Sequence, residues 1–181
     1  MLQMKQASQW FLQEGELLDI KMEKHITTTA YIVAKIAGKL KILLHKHKKH
    51  GIWLGVGGHV EGDENPYEGT LREIMEEIGI DVSILNFTRG LTPSSIVSEM
   101  PLPYMIKEEK IPRYKNEPAH YHIDFIYFGT TDTPNKVYMD EEFDWFSQDE
   151  IDKLNLEKDV KFVVSAAFKN YFERSSKHEK I

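Results

Sequence analysis

With 181 residues, 41% of them hydrophobic and 29% charged, the chain is sized for one globular domain with a real core, not a disordered segment. It has no cysteine, which excludes disulfides and thiolate metal sites; any metal must sit on oxygen or imidazole, and a reducing cytoplasm suits such a chain. A net charge of −6 argues against a partner as long and anionic as a nucleic acid, and no apolar run is long enough to cross a bilayer or, near Met1–Asp19, to act as a signal peptide.

Gln3 to Asp19 reads as an amphipathic helix with Trp10, Leu17 and Leu18 on one face, giving an N-terminal helical segment over 1–24 ahead of one domain over 25–181. Thr27–Ala37 is rich in β-branched and aromatic residues; Gly38-Lys39 is a turn and Leu40–Leu44 a second strand, together a β-hairpin. The basic run His45–His50 is read as a solvated strand end, with a mobile positive rim for phosphates as its functional alternative. Ile52–Val60 is apolar and glycine-rich, as where backbone bends tightly or approaches a ligand. Asn65 as cap, Pro66 at the first helical position and Glu68 in a capping box start a helix that runs to Ile78 and stops at Gly79.

Ile80–Phe87 reads as a strand. Leu91–Ala119 holds five prolines and is expected to be a long loop with at most short elements. Tyr121–Gly129 is a strand, Glu142–Phe146 leads into a short helix near Asp149–Leu154, and a last helix spans about Glu157–Phe172 before a polar, fraying tail.

The stretch Gly58–Ile80, GHVEGDENPYEGTLREIMEEIGI, carries the chemistry. Glu73, Glu76 and Glu77 stand at i, i+3 and i+4, so all three carboxylates share one helix face and repel one another. Arg72, four residues before Glu76, relieves part of that repulsion. A hard cation such as Mg2+ relieves the rest, because it prefers carboxylate oxygens and shares substrate phosphates. A solvated acidic face is the bland alternative.

The order of residue types decides between them. The stretch resembles the Nudix box, G-x5-E-x7-R-E-U-x-E-E-x-G-U, and Gly58, Glu64, Arg72, Glu73, Ile74, Glu76, Glu77, Gly79 and Ile80 fill every specified position. The resemblance extends from about Thr27 to about Leu154. It implies an α/β (α+β) fold, a Nudix-type α/β/α sandwich with a mixed central sheet. It further implies a Mg2+- or Mn2+-dependent pyrophosphohydrolase whose partner is a small nucleotide-like diphosphate. Carried over position by position, Glu73, Glu76, Glu77 and the Gly57 carbonyl hold the metal, Arg72 orients the carboxylates, and Glu64 supports them. One departure is Val56-Gly57-Gly58 where many relatives have Pro-Gly-Gly; it removes no chemical group. For the general base the resemblance leaves two sources, a box glutamate or an acid on a later loop. Glu76 or Glu77 is read as metal ligand and Glu142 as a secondary candidate base, with Glu141 and Glu117 as the other later acids.

His120, His122 and Asp124 alternate on one strand as His-x-His-x-Asp and share a face. A zinc-like cluster is one reading; a wall of the substrate cleft, joined by His59, is preferred. Trp53, Tyr104 and Tyr127 are base-stacking candidates that are more often core. Two other functions compete. An isoprenoid diphosphate isomerase carries a similar box but uses a cysteine this chain lacks, and a non-catalytic nucleotide sensor typically loses box carboxylates that are all present here. The substrate is not written in the box, since specificity lies in surrounding loops. A homodimer through the N-terminal segment or the long loop is compatible with the sequence.

Overall fold

The computed structural model describes residues 22–48, 51–85, 90–138, 140 and 142–178. The helix expected over Gln3–Asp19 and the acid Glu141 lie outside them. Eight strands form one sheet: β1 (Lys24–Ile36), β2 (Lys39–Lys46), β3 (Trp53–Leu54), β4 (Val56–His59), β5 (Ser83–Ile84), β6 (Met105–Ile111), β7 (His120–Thr130) and β8 (Phe143–Ser147). Among the described residues, three α-helices accompany it: α1 (Pro66–Ile78), α2 (Gln148–Ile151) and α3 (Lys158–His178). The sheet is mixed, as expected. β1 runs parallel to β7 from Lys24↔Tyr121 to Val33↔Thr130, and its other pairings, with β2 and β4, are antiparallel.

β1 organises everything around it because its alternation serves two layers. Tyr31 and Val33 join Ile42, Leu44, Ile126 and Phe128 in a core covered by Val160, Val163, Val164 and Phe168 of α3. Ala30, Ile32 and Ala34 turn the other way, onto Leu43, Val56, and Ile74 and Ile78 of α1. Successive strand residues point to opposite faces, so a run of apolar residues here means a strand covered on both sides. Each fully buried isoleucine contributes on the order of 2 kcal/mol.

α1 begins as its sequence dictates. The Asn65 side chain accepts from the Tyr67 and Glu68 N–H groups at 3.0 and 3.1 Å, and Glu68 Oε2 accepts from the Asn65 N–H at 2.9 Å. Gly79 ends the helix in the left-handed region, φ 62°, where a side chain would be strained. At the other end of the register, β4 lies against β1 through Thr28↔Gly58 and Thr29↔Gly57. A Cβ on Gly57 would collide with the Thr28 carbonyl. Neither backbone can yield without breaking the ladder, so Gly57→Ala should destabilise the fold by about 3 kcal/mol, read as a lower urea midpoint at unchanged slope. An unshifted midpoint would show that β4 has slack.

Three expectations change. The segment Leu91–Ala119 is not simply loop: β6 pairs with β7 over seven residues, from Met105↔Ile126 to Ile111↔His120. Its inward positions include Lys107 and Glu109 as well as Met105 and Ile111, so a period-two reading of hydrophobicity misses it. The strand expected over Ile80–Phe87 shrinks to Ser83–Ile84 within the described residues, where it forms a short antiparallel ladder with β7 that the Leu85 N–H extends to the Phe128 carbonyl at 2.7 Å. The basic run is not wholly solvated. His45 is buried and its Nε2 lies 2.9 Å from the Gly55 carbonyl, while Lys46 pairs with Glu142. Among the described residues, no helix is long and apolar enough to cross a membrane.

Candidate active site

The acidic face of α1 is held by one guanidinium. Arg72 Nε donates to Glu64 at 3.0 and 3.2 Å, and Nη2 to Glu64 Oε1 at 2.7 Å. Nη1 donates to Glu73 Oε1 and to Glu76 Oε2, both at 3.0 Å, and Nη2 also reaches the His59 carbonyl at 2.9 Å. The predicted i, i+4 pair with Glu76 is therefore one arm of a fork that binds three carboxylates. Planar multidentate geometry is what arginine supplies and lysine does not. The hydrogen bonds Arg72 donates to Glu64, then those to Glu73 and Glu76, hold it charged well above its ordinary range. Hydrogen bonding to Arg72 in turn holds Glu64 below the usual carboxylate range.

Glu73 behaves differently: burial raises its carboxyl, and Arg72 opposes that rise. An acid that resists ionising in a bare protein, beside two more acids, suits an added cation. Its position depends on Gly58, where a Cβ would stand 2.5 Å from Glu73 Oε1. Gly69 likewise leaves room for Glu64, whose Oε1 would be 2.8 Å from a Cβ there. Glu77 is tied to the glycine strand, its Oε2 accepting from the Gly57 N–H at 3.1 Å. The side chains of Glu73, Glu76 and Glu77 offer only oxygen atoms, the donors that hard divalent cations prefer.

Spacing between Gly58 and Ile80, together with a mixed sheet between α1 and α3, decides the family. A model of the NUDIX domain matches residues 25–166. The chain belongs to the NUDIX family. A solved NUDIX-family hydrolase from Clostridium perfringens is 25% identical, superposes with a TM-score of 0.64, and covers 81% of this chain and 97% of its own. Dihydroneopterin triphosphate pyrophosphohydrolase from E. coli shares the fold at 12% identity and a TM-score of 0.57, covering 80% of this chain and 95% of its own. The Ap4A hydrolase of C. elegans does so at 16% and 0.51, covering 82% and 98%. With every box carboxylate in place, this NUDIX chain is an enzyme of the pyrophosphohydrolase type.

The other residues singled out from sequence fall elsewhere. Glu142 is exposed at the start of β8 and pairs with Lys46 Nζ at 3.2 Å. Glu117 lies in a turn closed by backbone bonds with Tyr114, on the wall of a cleft of about 700 Å3. His59, His120 and His122 line that same cleft, and His25, which sequence reading passed over, joins them. Register places this cleft on the α3 face: His59 opposes Thr27, and His25 pairs with His122. Box helix and histidines therefore share strand β4 but use its two sides. Asp124 does not join the histidines; it is buried, accepts from Thr29 Oγ1 at 3.0 and 3.1 Å, and faces Lys107 Nζ at 3.7 Å. Burial raises its carboxyl against the pull of Lys107. The stacking candidates belong to packing: Tyr104 stacks on Phe128 at 4.4 Å, Trp53 meets Phe146 edge-on at 5.0 Å, and Tyr127 is buried against Tyr67.

Burial, and then the neighbouring imidazoles of His59, His120 and His25, push His122 down to about 4 from 6.5. The folded state thus binds fewer protons than the unfolded one between those values. Stability from this group is complete above about pH 6.5 and is lost as pH falls towards 4. His122 is partly exposed, so solvent screening reduces the loss to on the order of 1–2 kcal/mol. Urea midpoints in chelator at pH 7.5 and 4.5 should differ less in His122→Gln than in the wild type; equal differences would reject the assignment.

Proposed function

We propose that this NUDIX enzyme hydrolyses the diphosphate linkage of a small nucleotide, a nucleoside triphosphate or similar compound, with Mg2+ or Mn2+ held by Glu73, Glu76, Glu77 and the Gly57 carbonyl. The observation that carries this reading is the Arg72 fork, which ties Glu73 and Glu76 of α1 to Glu64 just ahead of the helix. Bound there, the cation would neutralise phosphoryl charge and acidify the attacking water. The protein's own residues do the rest. Arg72 orients Glu73 and Glu76. The Gly57 N–H fixes Glu77, and Glu76 or Glu77 takes the proton from water, with Glu142 as the secondary base. Positioning water in line with the leaving group supplies much of the acceleration in phosphoryl transfer. The chain's lack of cysteine suits a cytoplasmic setting.

Substrate choice is read from the chemistry of the fold relatives. Ap4A, dihydroneopterin triphosphate, and the ADP ribose bound to the NUDIX domain of Shewanella oneidensis NrtR all contain a phosphoanhydride bridge. A panel of nucleoside triphosphates, dinucleoside polyphosphates, ADP-ribose and nucleotide sugars, assayed for product with and without Mg2+, tests the proposal. Metal-dependent release of a nucleoside monophosphate supports it. Tight binding of one compound with no turnover under any metal would replace it with a nucleotide-sensing module.

A further inference from the structure

We propose that His25, His59 and His122, with His120 beside them, bind one transition-metal dication of the Zn2+ type, at a site separate from the carboxylates of α1. The three residues come from β1, β4 and β7, and one ring nitrogen of each lies within 4.8 Å of the others. Their rings are packed together: His25 stacks on His120 with centroids 4.5 Å apart, and His59 meets His122 edge-on at 5.0 Å. Tetrahedral bonds of about 2.05 Å place ligand nitrogens about 3.4 Å apart, so the rings close by at most about 1.4 Å from the 4.8 Å that bounds them. His25 has room to swing, its side chain being 36% exposed.

His120 is already set as metal-site histidines are. The Pro118 carbonyl, 2.9 Å from Nδ1, can only accept, so that nitrogen carries the proton. The lone pair on Nε2 then points at His122 Nε2, 3.1 Å away. A backbone carbonyl behind one ring nitrogen fixes the tautomer and orients the other for a metal. Glu109 on the cleft wall is paired with Lys107 at 2.6 Å, and Glu23 and Glu117 stand against Lys110, so the walls favour a cation over a phosphate. Imidazole donors select Zn2+, Cu2+ or Ni2+, whereas the oxygen donors of α1 select Mg2+ or Mn2+, so the two faces of β4 sort metals by donor type.

The full chain, stripped with chelator, is titrated calorimetrically with Zn2+ in excess Mg2+, and separately with Co2+ followed by visible absorption. The expected result is one equivalent of Zn2+ and intense cobalt bands of tetrahedral nitrogen ligation. His122→Ala and His25→Ala should each weaken Zn2+ binding roughly tenfold or more, while Glu76→Gln leaves it unchanged. No stoichiometric binding by the wild type overturns the proposal. So does binding that survives both histidine changes, or binding lost in Glu76→Gln. Circular dichroism checks folding of the variants; if His122→Ala unfolds, His25→Ala and the cobalt spectrum of the wild type decide. Both readouts are of binding, so a failed hydrolysis assay leaves this site standing, and a failed titration leaves the hydrolase reading standing.

Discussion

Replacing Glu77 by glutamine should lower turnover about a hundredfold or more while leaving the fold nearly intact. Glutamine keeps the volume of the side chain and an oxygen that can accept from the Gly57 N–H, now 3.1 Å from Glu77 Oε2. It removes the charge that a cation needs and the basicity that a proton-accepting role needs. Steady-state kinetics across a Mg2+ titration separate the two: a raised metal requirement marks a ligand, and a fall in the saturating rate marks a base. Near-normal turnover at ordinary Mg2+ would reject Glu77 for either role. Glu142→Gln, assayed beside it, reads the secondary candidate at the β8 edge. A larger loss there would move the base from α1 to the strand that Lys46 contacts.

Arg72→Lys should cost both stability and activity although the charge is kept. The side chain is 22% exposed and bonds Glu64, Glu73, Glu76 and the His59 carbonyl at once. A lysine ammonium, a point charge with three rotatable donors, cannot hold that fork. The released acids then repel each other and lose their preset positions. An unfolding free energy lower by about 2–3 kcal/mol is expected for breaking a partly buried charge network, with turnover down at least tenfold. Excess Mg2+ should restore part of the stability, because the cation takes over some of the neutralisation. Equal midpoints for Arg72→Lys and the wild type without metal would show that charge alone, not the planar fork, assembles the site.

The box was legible from sequence because all of its geometry is local. Helical spacing puts Glu73, Glu76 and Glu77 on one face, Asn65 and Glu68 write the cap, and Gly79 writes the stop. The hairpin of β1 and β2 and the strand β7 were legible for a similar reason, since long β-branched and aromatic runs mark strands buried on both sides. What was not legible depends on partners far apart in the chain. β6 was hidden among prolines and charges. It is a strand because it pairs with β7 over Met105–Ile111, where its inward Lys107 reaches Asp159 at 3.1 Å and Asp124 at 3.7 Å, a neutralisation that no local pattern announces.

The histidines draw the same line more sharply. Sequence by itself determined that His120 and His122 share a face, because strand periodicity is a property of one chain segment. Only the tertiary structure decided that they meet His25 and His59 and part from Asp124. That outcome rests on the parallel register of β1 with β7, His25↔His122, and the antiparallel register of β1 with β4, Thr27↔His59. Register between distant strands is chosen by the whole buried face at once, and a slip of one residue would send every one of these side chains to the other side of the sheet.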